Sequence, residues 1–336
     1  MKSILLGLSG GVDSTAAAII LQEQGWNVIA LNYVLTEESQ ASQNMAKRLG
    51  IEHHTLDLRE EFQRFVIDHM VSEYEQGRTP NPCVRCNPTI KWPYLAEYAD
   101  RLGIEYIATG HYARVMEKDG MYMLRKAADS GKDQSYFMYR IGNEYLQRAV
   151  FPLGDITRAQ AEEICHSRGL LPESEHRSSD LCFLSGGKLR DFLAEKLPAL
   201  PGDVWIPDQG KIREHSNIRA LTVGQRRGLS TAWKYPLYVI SVDIPGRRAV
   251  AGPKELLLCR EFSIGNTFWN GAEPSTDREY TVKIRNTHPG TACEIQKQGE
   301  VFRISMKQDQ YAITPGQSAV IYDGDIVLGG GIIRQA

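Results

Sequence analysis

Two groups of residues carry chemistry in their types and spacing. Cys83-Val84-Arg85-Cys86 sets two thiols three positions apart, and Cys182 stands in a polar, loop-like stretch, 173–187. A thiolate is the strongest ordinary protein nucleophile, and it can carry an extra sulfur as a persulfide or bind a soft metal. The second group is Ser9-Gly10-Gly11-Val12-Asp13-Ser14, between the apolar run Ile4-Leu5-Leu6-Gly7-Leu8 and Thr15-Ala16-Ala17-Ala18. Adjacent glycines let the backbone turn sharply and approach a ligand. The N–H groups that open the following helix suit an anion such as phosphate. Asp13 is then a candidate for reaching Mg²⁺ on that phosphate. The bland reading of the loop is a strand-to-helix turn of small residues. No Gly-Lys-Ser/Thr occurs anywhere, so a Walker-type γ-phosphate transfer is disfavoured.

These residues need a scaffold, and the chain is long enough to give one. Its 336 residues, 42% of them hydrophobic, imply two or three domains with sizeable cores. No run approaches the roughly 20 apolar residues of a membrane span. Met1-Lys2-Ser3 leads straight into the first strand with no visible signal peptide, so a cytoplasmic setting with reduced thiols is expected. Of the other cysteines, Cys165, Cys259 and Cys293 read as small buried hydrophobes. Net charge is −2, and the halves differ: residues 1–200 hold 22 basic and 27 acidic residues (−5), residues 201–336 hold 17 and 14 (+3). Any nucleic-acid footprint is therefore local. Lys211, Arg213, Arg219, Arg226, Arg227 and Lys234 supply a patch in which only Glu214 opposes.

Strands at Ile4–Leu8, 27–33, 53–58 and 104–109 alternate with helical stretches near 15–21, 36–49, 60–76 and 92–102, the pattern of a parallel, doubly wound sheet. Ligands of such sheets lie beyond the carboxyl ends of the strands, where Ser9, Tyr33 and Gly110 stand; Tyr33 and Gly110 could flank an adenosine or simply pack. Three prolines make 77–91 an irregular ordered loop. Residues 113–125 read as a hairpin around Asp119-Gly120, and an apolar helix is expected after Tyr136. Thr157-x-x-Gln160 reads as a capping box. His53-His54 tempts as a metal pair, but neighbours on a strand point to opposite faces. Beyond Pro198 the texture turns to short β-rich runs. Domains are expected at 1–198, 199–253 and 254–336, the last a small antiparallel barrel or sandwich.

The loop at 9–14 resembles the PP-loop of the ATP pyrophosphatases. The rest of the chain resembles the tRNA-specific 2-thiouridylase (MnmA) family in Thr79-Pro80-Asn81-Pro82 with Cys86-Asn87, Ala108-Thr109-Gly110-His111-Tyr112 and Lys132-Asp133-Gln134-Ser135-Tyr136. The likeness extends through Phe151-Pro152-Leu153-Gly154, Cys182-Phe183, Thr222-Val223-Gly224-Gln225-Arg226-Arg227-Gly228-Leu229, Tyr322-Asp323-Gly324-Asp325 and Leu328-Gly329-Gly330-Gly331. The resemblance implies an adenine nucleotide alpha hydrolase-like α/β domain, a small central β-rich domain and a C-terminal β-barrel. It implies that ATP adenylates C2 of the wobble uridine in a tRNA anticodon loop and that sulfur then gives 2-thiouridine, AMP and pyrophosphate. Leu8, Ser9, Gly10, Gly11, Val12, Asp13, Ser14, Thr15, Tyr33 and Gly110 would bind ATP. Cys182 would hold a persulfide that Cys86 attacks, leaving a disulfide. His111, Lys132, Asp133, Gln134, Ser135, Arg226, Arg227, Arg285, Asn286 and Gln317 would contact tRNA. The implied partners are tRNA and a sulfur-donor protein or free sulfide.

One position departs from the family. Many members carry Asp where this chain has Cys83. Cys83, Cys86 and Cys182 could then hold a 4Fe–4S cluster with one iron left open. Structural zinc and a merely packed Cys83 are the other readings. Two further functions stay open: a PP-loop synthetase that adenylates a small molecule, and a non-catalytic tRNA-binding protein.

Overall fold

The computed structural model describes residues 2–37, 39–171, 181–184, 189–229 and 233–334. The first lobe holds strands β1 (Ser3–Gly7), β2 (Asn27–Val34), β3 (Glu52–Asp57), β4 (Tyr106–Thr109), the hairpin β5 (Arg114–Lys118) and β6 (Met121–Arg125), and β7 (Ala149–Val150). All but the hairpin form one parallel sheet, in the order β3-β2-β1-β4-β7. Alternation along the strands builds both faces. Ile4, Leu6, Val28 and Ala30 pack with helices α1 (Val12–Glu23) and α2 (Ala41–Leu49). Leu5, Ile29, Leu31 and Ile107 pack against Trp92, Leu95 and Ala99 on the other side. This is the doubly wound sheet that the alternating pattern implies.

Residues 77–81 are irregular as expected, but 82–91 are not a loop. They form helix α3 (Pro82–Cys86), then a π-helical segment (Asn87–Lys91) that runs directly into α4 (Trp92–Arg101). Asn81 caps the start, its Oδ1 accepting from the N–H groups of Cys83 and Val84 at 3.1 and 3.3 Å. Pro82 sits in the first turn, where its missing N–H costs nothing. Pro88 cannot donate within the helix, and the ladder there loosens to π bonding. Side chains take up carbonyls around it: Asn87 Nδ2 donates to Cys83 O at 3.0 Å and Thr89 Oγ1 to Arg85 O at 2.7 Å. The helix expected after Tyr136 is a single 3₁₀ turn, Ser135–Met138. The capping box at Thr157 forms as read and opens α5 (Arg158–Ser167).

Strands β8 (Gly202–Ile206), β9 (Gly210–His215), β10 (Tyr238–Asp243) and β11 (Arg248–Gly252) make a second sheet, ordered β10-β11-β8-β9, over a core of Val204, Ile218, Val239 and Ala249. Strands β12 (Leu258–Trp269), β13 (Tyr280–Lys283), β14 (Thr291–Gln298), β15 (Val301–Tyr311), β16 (Ser318–Asp323) and β17 (Ile326–Ile333) form a six-stranded barrel. It closes because β12 pairs with both β15 and β17, Ile264 facing Phe302 on one side and Ile333 on the other. The hairpin β5–β6 reaches across to this barrel, where Arg125 pairs with Asp325. Among the described residues no helix is long and apolar enough to cross a membrane.

Candidate active site

The loop at 9–14 leaves β1 and enters α1 with Gly11 as a cap that offers no side-chain acceptor, so the first-turn N–H groups face outward toward any ligand. Gly10 has φ +81°, and a Cβ there would lie 2.5 Å from the Ala41 carbonyl carbon, so glycine alone fits. Ser9 and Ser14 bond to each other through their hydroxyls at 3.1 Å, and Ser14 Oγ also donates to Gly11 O at 3.1 Å. Two of the expected nucleotide residues shape the loop from behind. Leu8 is core, and Thr15 is buried with its hydroxyl donating to Gly11 O at 2.9 Å. Tyr33 is half-buried; its hydroxyl donates to Lys91 O at 3.0 Å and its ring packs against the core. Burial and the Cys86 sulfur push its pKa far above the ordinary tyrosine value.

Three successive residues after β4 link this loop to the thiols. A Cβ on Gly110 would lie 2.9 Å from Ser14 N and 3.0 Å from the Asp13 carbonyl carbon, so the chain there rests on the loop. Tyr112 Oη donates to Asp13 Oδ1 at 2.8 Å, and Asp13 also pairs with Arg158 at the start of α5. Asp13 therefore holds a cation and a hydroxyl in the structure, and is 40% exposed on the loop side. Between Gly110 and Tyr112, His111 bonds through Nδ1 to Thr109 Oγ1 at 2.8 Å. Burial, then the charge of Lys91, depresses its pKa to about 3, so the ring is neutral.

The three thiols and Lys91 lie near enough to feel one another's charge. Cys83 lies half-buried and Cys86 buried on α3, and Cys182 is exposed. Phe183 anchors the Cys182 segment, with its ring 6.0 Å from Phe62 and 5.2 Å from Phe192, in the apolar group that also contains Cys86 and Ile90. Burial raises the Cys86 pKa to about 12 against the pull of Lys91; the sulfurs of Cys182 and Cys83 add to the rise. Burial also raises Cys83, with Lys91 pulling it down. Burial lowers the Lys91 ammonium, but the sulfurs of Cys86, Cys182 and Cys83 outweigh it and hold it above the ordinary lysine value. Cys86 at rest is thus a protected thiol beside a fixed positive charge. Among the described residues no group of three or more His, Cys, Asp or Glu is placed to hold a metal ion. The donor set here fits nucleophilic sulfur, and a cluster or structural zinc finds no built cradle among these residues. The rest of the polar stretch 173–187, apart from residues 181–184, lies outside the described residues.

The residues expected at a tRNA surface divide in two. Lys132, Arg226, Arg227 and Arg285 are exposed. Asp133 and Ser135 are interior instead: Asp133 Oδ1 accepts from Ala127 N and Ser135 N at 3.1 and 3.2 Å, and its carboxylate lies 3.7 Å from Lys283 Nζ in the barrel. Ser135 Oγ bonds to Asp133 and to Tyr322 Oη. Their segment joins the first lobe to the barrel, a role reinforced by Tyr136 Oη donating to Ser318 O at 2.8 Å. Gln134 Oε1 accepts from Tyr112 N at 2.9 Å and steadies the strand exit. Gln317 Nε2 donates to Thr79 O at 2.9 Å, tying the barrel to the approach of α3. Asn286 is half-buried with its Oδ1 unpartnered among the described residues. The basic patch is more opposed than its sequence window suggests, because Lys211 pairs with Asp203 at 2.8 Å as well as with Glu214.

His53 and His54 bond in different directions, to Ser42 and to Tyr98 and Glu52, as strand neighbours must. Cys165 and Cys293 are buried, whereas Cys259 is half-exposed. Sequence reasoning missed Lys91 and Arg158. Lys91 follows Cys86 by five positions, a separation that only the i→i+5 spacing of a π segment returns to one side. Arg158 reads as a helix-surface residue paired with Glu162, and nothing local signals its reach to Asp13.

Three family models match the chain: a tRNA methyl transferase HUP domain over residues 2–186, a tRNA methyl transferase PRC-barrel domain over 190–247 and an aminomethyltransferase beta-barrel domain over 259–333. Relatives match end to end. The tRNA-specific 2-thiouridylase MnmA of Nostoc punctiforme is 39% identical, covering 100% of this chain and 99% of that protein. MnmA 1 of Syntrophus aciditrophicus is 37% identical, covering 100% and 93%. MnmA of Pseudomonas aeruginosa is 36% identical, covering 100% and 95%.

Proposed function

Because this chain belongs to the tRNA-specific 2-thiouridylase family, we propose that it spends ATP to replace the C2 oxygen of the wobble uridine of tRNA with sulfur carried by its own cysteines. It is a tRNA sulfurtransferase with an ATP-utilising first lobe. The observation that supports the sulfur half of the reading is that exposed Cys182 and buried Cys86 both lie within electrostatic reach of Lys91.

Atoms and electrons balance across the steps. A donor persulfide passes its outer sulfur to the Cys182 thiolate and leaves as a thiol. The C2 oxygen of the uridine attacks the α-phosphorus of ATP and pyrophosphate departs, its charge met by the N–H groups that open α1. Mg²⁺, when bound, would neutralise the phosphates, and Asp13 is the loop carboxylate that would hold it, in exchange for its present pairing with Arg158. The Cys86 thiolate attacks Cys182 Sγ, the S–S bond breaks, and hydrosulfide leaves with the electron pair. Hydrosulfide attacks C2, AMP leaves with the former oxygen, and a proton is lost. Two thiols are thereby oxidised to a Cys86–Cys182 disulfide, which an external dithiol must reduce before the next turnover. Lys91 supplies the charge that makes the Cys86 thiolate accessible despite burial. The anticodon loop suits this chemistry because a single-stranded base can be splayed into a cleft.

The test supplies ATP and tRNA with and without a persulfide donor. With the donor, AMP, pyrophosphate and 2-thiouridine should form in equal amounts, and pyrophosphate release should require tRNA. Pyrophosphate released with a small molecule in place of tRNA would favour the synthetase reading, and tRNA binding with no pyrophosphate would favour a binding module.

A further inference from the structure

A cavity of about 1080 Å³ opens where the three lobes meet. Val84, Arg85, Pro88 and Thr89 of the α3–π segment line it, together with residues of β10, the start of β12 and the end of β17. It is larger than the roughly 300–1,000 Å³ that small-molecule pockets occupy. The lobes are fastened at its rim: Thr79 N donates to Pro315 O at 2.9 Å, and Thr79 Oγ1 bonds to Thr222 Oγ1 at 3.3 Å.

The charge of its wall is one-sided. Arg78, Arg85, Arg140 and Arg334 line it, against a single carboxylate, Glu73, which is already paired with Arg78. Among the described residues Arg85, Arg140 and Arg334 have no carboxylate within ion-pair distance. Arg85 gives Nε to Phe65 O at 3.2 Å, which leaves most of its five N–H donors for another partner. Arg140 is held in place by Tyr139 Oη at 2.8 Å and by Asn266 O. Arg85 lies close enough to Arg140 to feel its charge: burial first, then Arg140, lowers the Arg85 pKa. Two like charges gathered in a half-buried cleft without a counter-charge are costly unless an anion joins them. The facing wall is apolar and open, with Leu256 and Leu258 50% and 39% exposed.

We propose that this junction cavity is a phosphate subsite that grips a stretch of the substrate RNA backbone, with Arg85, Arg140 and Arg334 on the phosphates and Leu256 and Leu258 under the sugars and bases. The inference rests on tRNA being the substrate. A polymer segment fits better than a free anion on two counts: the cavity is many times the size of one phosphate, and it pairs cations with an exposed apolar wall.

The experiment measures tRNA binding over a salt series for the full-length protein and for Arg85→Gln, Arg140→Gln, Arg334→Gln and the Arg85→Gln/Arg140→Gln pair. Removing one arginine from a single-strand phosphate should reduce the log–log salt slope by about 0.7, so the double variant should lose about 1.4 and bind roughly tenfold more weakly. Arg140→Lys should keep most of the slope. Wild-type slopes and affinities in folded variants would overturn the proposal. So would a rise in wild-type melting temperature with inorganic phosphate, abolished in the double variant, while tRNA affinity stays unchanged, since that marks a free-anion site. Where Arg85→Gln fails to fold, Arg334→Gln on the exposed rim decides by the same slope. Failure of wild-type protein to bind tRNA would strike the function itself, whereas equal binding by wild type and variants strikes only the subsite.

Discussion

The nucleotide loop and the thiol cluster stand at two ends of one site and are built in opposite ways. At the loop, the bonds that shape the turn itself join residues no more than five positions apart, Ser9 with Ser14, and Ser14 and Thr15 with Gly11, while Tyr112 and Arg158 reach Asp13 from far along the chain. At the cluster, the reactive groups come from positions 83, 86, 91 and 182, and their mutual influence is electrostatic. The loop is rigid geometry awaiting a ligand. The cluster is a buried thiol, a half-buried thiol, an exposed thiol and a charge, whose balance changes during a turnover under the proposed mechanism. A phosphate cradle gains from fixed donors, whereas sulfur relay needs one thiol reachable from outside and one shielded until it is wanted.

The largest expected effect separates the two ends completely. Cys86→Ser and Cys182→Ser should each lower 2-thiouridine formation by on the order of 1,000-fold while ATP binding stays at the wild-type level, read by nucleoside mass spectrometry and calorimetry. Loss of ATP affinity in either variant would break the division. Gly110→Ala should do the reverse. Its Cβ would press within 2.9 Å of Ser14 N, so ATP affinity should fall about 10–100-fold with no change in alkylation of Cys86.

Lys91→Met sharpens the comparison at its centre. Without the ammonium the Cys86 thiol, already raised to about 12, rises further, and thiolation should fall about tenfold with its pH profile displaced upward. Lys91→Arg should restore the profile, an outcome that a purely structural lysine would not give.

How much of this was legible follows the same division. Gly10, Gly11 and the serines announce the loop because the turn itself is local, and the unbroken apolar run Ile4-Leu5-Leu6 announces a strand covered on both faces. The capping box at Thr157 and the hairpin at 114–125 were readable for the same reason. The prolines of 77–91 misled, since Pro82 and Pro88 sit where a helix start and a π segment tolerate them. Asp133 and Ser135 look like surface polar residues until the barrel is folded against them. Arg158 and Lys91 were silent because their partners lie far along the chain or on an uncommon helical turn.

A smaller effect tests the hinge between the two ends. His111 is held neutral, with its pKa lowered to about 3 from the ordinary 6.5. The unfolded chain binds a proton that the folded chain refuses, so stability is full above the unfolded value and is lost as pH falls from about 6.5 toward 3, by at most about 1.4 kcal/mol per unit. His111→Asn should flatten that part of the acid-denaturation curve; an unchanged slope would show that the ring takes up its proton without strain. The smallest effect is expected at Cys83. Cys83→Ser should retain thiolation to within about threefold, since its sulfur is not exchanged in the relay. A collapse comparable to that of Cys86→Ser would return the third thiol, and with it a cluster, to the mechanism.

The most direct measurement is a single turnover of iron-free protein charged with persulfide on Cys182 and mixed with ATP and tRNA, followed by peptide mapping. The account predicts one Cys86–Cys182 disulfide for each 2-thiouridine formed. Formation of 2-thiouridine with both cysteines still free thiols would contradict it.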